Sequence, residues 1–71
     1  MNEFNLSKLN AKVCDNCVFV SNFAVRYQSA ATPEERMAMA IKLENAATMF
    51  RISAERLATE TKNVYGGKNN D

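Results

Sequence analysis

The most reactive side chains in this sequence are two cysteines three positions apart, in Cys14-Asp15-Asn16-Cys17. On a helix, this C-x-x-C spacing places both sulfurs on one face, as in thioredoxin-like redox sites. Zinc needs four ligands, but the chain has no further cysteine and no histidine. The βαβ setting of a redox motif is also missing. We therefore predict that both cysteines are buried in a helical core or interface, with a zinc ion shared between chains as the alternative.

Groups for other kinds of catalysis are also missing from the sequence. The absence of histidine removes the commonest general base and the commonest metal ligand. No nucleophile stands beside a base, and no glycine-rich phosphate loop is present. We expect a protein that is not an enzyme and that needs no cofactor or metal.

Lysine and arginine are the remaining residues that could bind a ligand. The nine of them are spread along the chain, and the net charge is only +1, which argues against DNA as a partner. No apolar run approaches the roughly 18 residues of a membrane span, and the first residues lack the order of a signal peptide. These features predict a soluble intracellular protein that does not bind a membrane.

The length of the chain limits it to a single small domain. With 71 residues, 46% of them hydrophobic, the chain is too apolar for disorder and too short to cover its own apolar surface. Below roughly 70–80 residues one core seldom suffices alone. Partner chains are therefore expected.

A first helix is predicted over residues 5–30. Asn5 can cap its free N–H groups, while Phe4 and Leu9 occupy the positions that staple a first turn. One face of this helix carries apolar residues at spacings of three, four and seven. They are Leu6, Leu9, Val13, Val20, Phe23 and Tyr27. Asn16 interrupts this seam.

A second helix is predicted over residues 33–64, with a strong start signal. Thr32 is the expected N-cap, Pro33 occupies the first helical position, and Glu35 completes a capping box. Gly66-Gly67 is the expected end. The predicted seam alternates small with large side chains, which lets two helix axes approach closely. Its members are Ala40, Leu43, Ala47, Phe50, Ala54, Leu57, Thr61 and Val64.

A loop of about two residues makes the two helices antiparallel neighbours. The predicted fold is all-α: a single antiparallel two-helix hairpin over residues 1–71, with a flexible tail at 66–71. Each helix also carries a second apolar stripe away from this seam. The stripes are Ala11, Cys14, Val18 and Val25 on helix one, and Ala38, Ile41, Met49 and Ile52 on helix two. Because a monomer would expose both, we predict a homo-oligomeric helical bundle.

Several cations border the second stripes. Lys42 and Arg56 fall on the same side of helix two as Met49. Cations gathered where copies meet repel each other unless an anion lies between them, so a phosphate-bearing ligand would fit there. Helix one adds the candidates Lys8, Lys12, Arg26 and Tyr27, on spacing alone. In the alternative interpretation these long side chains only lie along apolar surface with their charges in water. Glu44 and Arg51, on another face, are expected to be ordinary surface charges.

Residues 34–56, EERMAMAIKLENAATMFRISAER, resemble the hairpin domain of the phage cyclic-nucleotide sponges. That family carries a pattern close to R-E-R-x-L-A-x-T-K-L-E-E-A-x-M-W, followed by an alanine-rich stretch that ends in Ala-Arg. The matching residues are Glu35, Arg36, Lys42, Leu43, Glu44, Ala46 and Arg56. Ile41 and Asn45 depart from the pattern, and Met49-Phe50 comes one place late. The likeness covers roughly a third of the chain.

The resemblance implies an oligomer, commonly a hexamer in that family, that sequesters cyclic di- or trinucleotides or related signals without degrading them. Such a sponge blinds bacterial CBASS or Thoeris defence in the cytoplasm of the infected host. Lys42 and Arg56 would then contact phosphate or ribose between protomers. A helical inhibitor or adaptor that docks on a host protein is the alternative. A small DNA-binding dimer is disfavoured because a helix-turn-helix signature is lacking.

Overall fold

The structure, a computed structural model, describes residues 3–66, with side chains from residue 5 to residue 65. Two long helices lie side by side: α1, Glu3–Gln28, and α2, Pro33–Thr61. A short π-helical turn, Lys62–Gly66, continues α2. The chain reverses between the helices, so the predicted all-α antiparallel hairpin is confirmed.

The start of α1 differs from the prediction. The helix already includes Glu3, so Asn5 lies inside its first turns and is not its N-cap. The residue types before Asn5 include no proline or glycine, so the sequence there is compatible with an earlier helix start. The proposed staple involves the Phe4 side chain, which lies outside the described residues. At the other end α1 stops at Gln28, where the Ser29 backbone N–H and hydroxyl both donate to Val25 O, at 3.0 and 2.9 Å.

The start of α2 forms as predicted. Thr32 is the N-cap, and its Oγ1 accepts a hydrogen bond from Glu35 N at 3.1 Å. Glu35 Oε1 in turn accepts from Ala31 N at 2.9 Å and Thr32 N at 3.3 Å. Pro33 has no N–H to satisfy, and the capping box satisfies the Glu35 N–H of the first turn together with the Ala31 and Thr32 N–H groups before it. The loop is thereby fixed to the helix that follows it.

The α-helical part of α2 ends at Thr61, a few residues before the predicted boundary near 64. The Lys62 N–H is shared between Ala58 O and Thr59 O, and Thr61 Oγ1 donates to Leu57 O at 2.7 Å. A π-helical turn follows directly after these bonds. The helical path extends to Gly66. Gly67 and the rest of the predicted tail lie outside the described residues.

The contact between the helices uses a different row of α2 from the one predicted. Leu43, Phe50, Leu57 and Val64 are half-buried, as expected. Their neighbours in the seam, however, are Met39, Ala46 and Ser53, one position earlier than Ala40, Ala47 and Ala54. Ala40, Ala47 and Thr61 are exposed, and Ala54 is half-buried. Both rows repeat with the same helical period, so periodicity does not distinguish them.

A buried polar pair decides between the two rows. Asn16 and Ser53 are each only 9% exposed, and Asn16 Nδ2 donates to Ser53 Oγ at 3.0 Å and to Met49 O at 3.4 Å. Ser53 Oγ donates to Phe50 O at 2.9 Å, so both side chains are satisfied. Asn16 therefore completes the α1 seam and does not interrupt it. A single buried asparagine in such a seam can fix the register of two helices.

The core of this hairpin is thin. Among the described apolar residues only Ala46 is buried. The other apolar seam residues of α1 and α2 are half-buried, except Tyr27, which was predicted in the α1 seam but is exposed near the loop. Other large side chains also point to solvent, namely Val18, Phe19, Val25, Met37, Ile41, Met49, Ile52 and Tyr65. Between residues 3 and 66, neither helix is long and apolar enough to cross a membrane. The predicted apolar surplus of a single chain is thus present in the structure.

Candidate ligand-binding groove

An apolar groove runs between α1 and α2 on one side of the hairpin. Phe19 and Phe23 contribute rings from α1, and Met49 contributes its thioether from α2. The groove has a volume of about 340 Å³, near the lower end of the roughly 300–1,000 Å³ of small-molecule sites, and it is open to solvent. Its full lining is Asn16, Phe19, Phe23, Lys42, Asn45, Ala46 and Met49. A groove this small and open can hold a flat ring but cannot enclose a dinucleotide.

Lys42 occupies the rim of this groove. Its Nζ lies 6.0 Å from the centroid of the Phe23 ring, at the outer limit of a cation–π contact. The aliphatic stem therefore covers apolar surface while the ammonium group stays exposed. Both sequence-based interpretations of Lys42 agree with this placement, because the same geometry leaves ammonium donors available to an anion above the rings.

The other predicted cations lie along the same side of the hairpin. Arg56 and Lys8 line one depression, of about 290 Å³, near the open end. Arg26 lines another near the loop, beside Glu35. Lys12 shares a face with Arg26, because the two are separated by 14 positions, close to four helical turns.

We call this surface the basic side, and define it by Lys8, Lys12, Phe19, Arg26, Lys42, Met49 and Arg56. On each helix two cations flank an apolar residue at steps of seven: Lys12, Phe19 and Arg26 on α1, and Lys42, Met49 and Arg56 on α2. Because the helices are antiparallel, the apolar residues meet in the middle and cations lie at both ends. The basic side also has carboxylates, but that of Glu35 is held by the capping box.

The two strongest candidates, Lys42 and Arg56, do not share a pocket within one chain. They are 14 residues apart on α2, a rise of roughly 21 Å. A compact ligand bound in the Lys42 groove of one hairpin therefore does not reach Arg56 of the same hairpin. Lys42 and Arg56 could contact the same ligand only if Lys42 came from one copy of the chain and Arg56 from another.

Tyr27 lies apart from the cations of the basic side. It is 38% exposed and lines a depression near the loop with Pro33, Arg36, Met37 and Ala40, away from the Lys42 groove. The side of the hairpin opposite the basic side we call the neutral side, because both signs of charge occur on it. It is formed by Cys14, Cys17, Ser21, Ala24 and Gln28 of α1 and by Arg36, Met37, Ala40, Glu44, Ala47, Arg51, Ala54 and Ala58 of α2.

Both cysteines lie on the neutral side, and both thiols are free and exposed. The prediction that they belong to the hairpin core is therefore wrong, while a place in an interface between copies stays a prediction. The physical reason is their position, since the α1 seam runs along the face of Val13, Asn16 and Val20. Within the described part of the chain, no three Cys, His, Asp or Glu residues are grouped as metal ligands would be.

Phe19 and Asn45 are groove residues that the sequence analysis did not identify. Phe19 is 52% exposed, and it lies between Lys12 and Arg26 at steps of seven residues. That basic–aromatic–basic spacing was the available signal. Asn45 gave no such signal, because an exposed helical asparagine between seam positions resembles ordinary surface.

Comparison with known proteins adds no assignment. No protein-family model, curated protein or solved structure matches this chain. The resemblance of residues 34–56 to the phage sponges therefore depends on the matching residues alone.

Proposed function

We propose that this protein is a non-enzymatic sponge: an oligomer of hairpins that binds cyclic di- or trinucleotide immune signals, or related molecules, between its copies. By sequestering the signal in the cytoplasm of an infected bacterium, it would inhibit CBASS or Thoeris defence. The observation that carries the proposal is the apolar groove of Phe19, Phe23 and Met49, with Lys42 on its rim and further cations at both ends.

The chemistry of the basic side suits a cyclic oligonucleotide. A base offers a flat π-face, which stacks on aromatic side chains with a free energy of about 1–3 kcal/mol per base. Its phosphates need charge-assisted donors, which lysine and arginine supply. The basic side provides both kinds of contact, with rings in the middle and cations at the ends.

The size of the groove supports binding between copies. One chain provides an open groove of about 340 Å³ and separates Lys42 from Arg56 by roughly 21 Å. Facing basic sides of two ligand-free copies would repel each other through their cations. A cyclic oligonucleotide would remove that repulsion and fill the space that one hairpin leaves open.

A thermal-shift titration against a panel of cyclic di- and trinucleotides tests this proposal. At 100 times its dissociation constant, a ligand stabilises the native state by about 2.7 kcal/mol. In a domain of this size each kcal/mol raises Tm by about 4–8 °C, so the shift is easily measured. The matching linear dinucleotides are the control, and they should give a smaller shift because their shape is not pre-organised.

The fate of the ligand separates a sponge from an enzyme. After heat denaturation of the complex, chromatography should recover the cyclic nucleotide intact. A linear product would contradict the non-enzymatic proposal, and no shift with any cyclic nucleotide would contradict the ligand class.

The alternative function is a helical inhibitor or adaptor that docks on a host protein. It is favoured by the outer face of α1, where Val18 and Val25 are 57% and 62% exposed without belonging to the groove. An apolar helix face of this kind can enter a groove on another protein. Such a protein would show no response to cyclic nucleotides in the same titration.

A further inference from the structure

The neutral side of α2 carries two opposite charges in a self-complementary arrangement. Glu44 and Arg51 are seven residues apart, so both lie on one line along the helix about 10.5 Å from each other. The midpoint between them falls between Ala47 and Thr48. A two-fold axis at that midpoint places Glu44 of one copy against Arg51 of the other, and the reverse pair forms by symmetry.

The same axis also matches a large side chain with a small one. With α2 antiparallel to its copy, Met37 falls opposite Ala58. Met37 is 67% exposed in the single hairpin, so it has apolar surface to bury. A large side chain above an alanine lets two helices approach closely, which is the packing that the row of Ala40, Ala47 and Ala54 was predicted to provide.

Neither charged residue is held by the hairpin core. Arg51 Nη1 pairs with Glu55 at 3.2 Å, but both side chains are more than 60% exposed, at 61% and 66%. The Glu44 carboxylate accepts from Thr48 Oγ1 at 3.0 Å, also on the exposed surface. Such surface contacts are weak, so each group can turn to a charge on a second copy.

We propose that the neutral side of α2 packs antiparallel against the same helix of a second copy, held by two reciprocal Glu44–Arg51 ion pairs. This inference deepens the proposed function, on which it rests, because a pocket between copies needs a defined surface of contact. It assigns assembly to the neutral side and leaves the basic side for the ligand. The basic side is unsuited to ligand-free packing, since its cations would face cations.

The neutral side of α1 agrees with this assignment. Its residues Cys14, Cys17, Ser21, Ala24 and Gln28 include no charged side chain. A second hairpin can therefore come close to α1 as well without burying an unpaired charge.

Charge reversal on separate chains tests the reciprocal pairs. Glu44→Arg alone sets the new arginine against Arg51 of the other copy, twice, and Arg51→Glu alone sets two pairs of carboxylates together. We expect each variant to dissociate more than about tenfold more readily than the parent, and to sediment at half the parent mass or less. An equimolar mixture of the two variants restores both attractive pairs and should recover the parent mass.

Recovery in the mixture is the decisive result, because neither misfolding nor a contact within one chain can produce it. Asp15→Arg, on an exposed residue of α1 away from the neutral side, makes the same change in net charge as Glu44→Arg and should leave the mass unchanged. Circular dichroism of each variant confirms that it is helical before mixing. Single variants that stay assembled, or a mixture that stays dissociated, would overturn the inference.

The outcome is separable from that of the proposed function. Sedimentation of the ligand-free protein tests the interface, while nucleotide titration of the unaltered protein tests the ligand. Recovery in the mixture without any nucleotide response would keep the interface and reject the sponge. If the single variants stay assembled and the protein still binds a cyclic nucleotide, the interface is rejected and the sponge is kept.

Discussion

At the scale of single residues, Lys42 combines packing with a free charge. Its stem lies near the Phe23 ring, and its ammonium group is 6.0 Å from the ring centroid. The sequence predicted both of its possible roles, since a lysine beside an apolar stripe can snorkel or bind an anion. The structure makes the two compatible, because a snorkelling lysine already has its charge at the mouth of the groove.

Replacement of Lys42 or Arg56 by alanine should weaken cyclic-nucleotide binding. Each cation would lose a charge-assisted bond to phosphate with a free energy of about 1.5–3 kcal/mol, or roughly 10- to 150-fold in affinity. Isothermal titration calorimetry measures the change. Lys62→Ala removes the same charge beyond the end of α2 and should have little effect. Unchanged affinity in both variants would remove the site assignment.

Asn16 is the second residue with a specific role. Its amide joins α1 to α2 through Ser53 Oγ and Met49 O, in the most buried part of the hairpin. We expect Asn16→Ala to lower the free energy of unfolding by about 1–3 kcal/mol, because it removes an interhelical hydrogen bond and leaves space in the seam.

A double-mutant cycle isolates the Asn16–Ser53 contact. Ser53→Ala alone leaves part of the buried amide unsatisfied, so the double variant should cost less than the sum of the two single variants. A coupling free energy of about 0.5–3 kcal/mol in urea denaturation is expected. Strictly additive costs would show that the hydrogen bond does not link the helices energetically.

At the scale of elements, the loop and the start of α2 act as one unit. The capping box joins Ala31, Thr32 and Glu35 through three hydrogen bonds of 2.9 to 3.3 Å. These bonds satisfy free donors at the positive end of the helix, where a carboxylate is also favoured. The sequence predicted this unit because every contact in it spans no more than four residues.

Thr32→Ala should therefore destabilise the hairpin by about 0.5–2 kcal/mol, the usual cost of losing an N-cap. Thermal denaturation followed by circular dichroism should show a lower Tm. Thr59→Ala makes the same chemical change at an exposed position inside α2. Since alanine is the better helix former there, this control should not lower Tm. An equal loss of stability in both variants would contradict a capping role.

At the scale of the whole molecule, the thin core is the dominant feature. Only Ala46, Asn16 and Ser53 are buried among the residues that the structure describes, while large apolar side chains on both helices face solvent. Contacts between copies would bury that surface and add to the small stability of the hairpin. The oligomer stays a prediction that follows from this exposure.

If assembly stabilises the fold, Tm should depend on protein concentration. A tenfold dilution should lower Tm, because dissociation then accompanies unfolding. Light scattering over the same range should show the mass falling toward the 7.9 kDa of one chain. A well-folded single chain at every concentration, with constant Tm, would contradict both the oligomer and a ligand site between copies.

The sequence was sufficient for the parts of the fold that local interactions decide. Helical periodicity, the Thr32-Pro33-Glu34-Glu35 start and the short loop predicted two antiparallel helices with boundaries within a few residues. It also placed Lys42 and Arg56 on one side of α2, since positions 14 apart share a face. The rest of the candidate groove, Phe19 and Asn45 in particular, needed the second helix beside the first.

Only the tertiary structure decided how each helix is rotated about its own axis. The rows Ala40–Ala47–Ala54 and Met39–Ala46–Ser53 have the same seven-residue period and lie about 100° apart, so periodicity fits both. The Met39–Ala46–Ser53 row faces α1 because the buried Asn16 amide needs a hydrogen-bond partner. That partner is Ser53 Oγ, which lies 37 residues further along the chain. That rotation leaves Ala40 and Ala47 exposed and opens the groove beside Lys42.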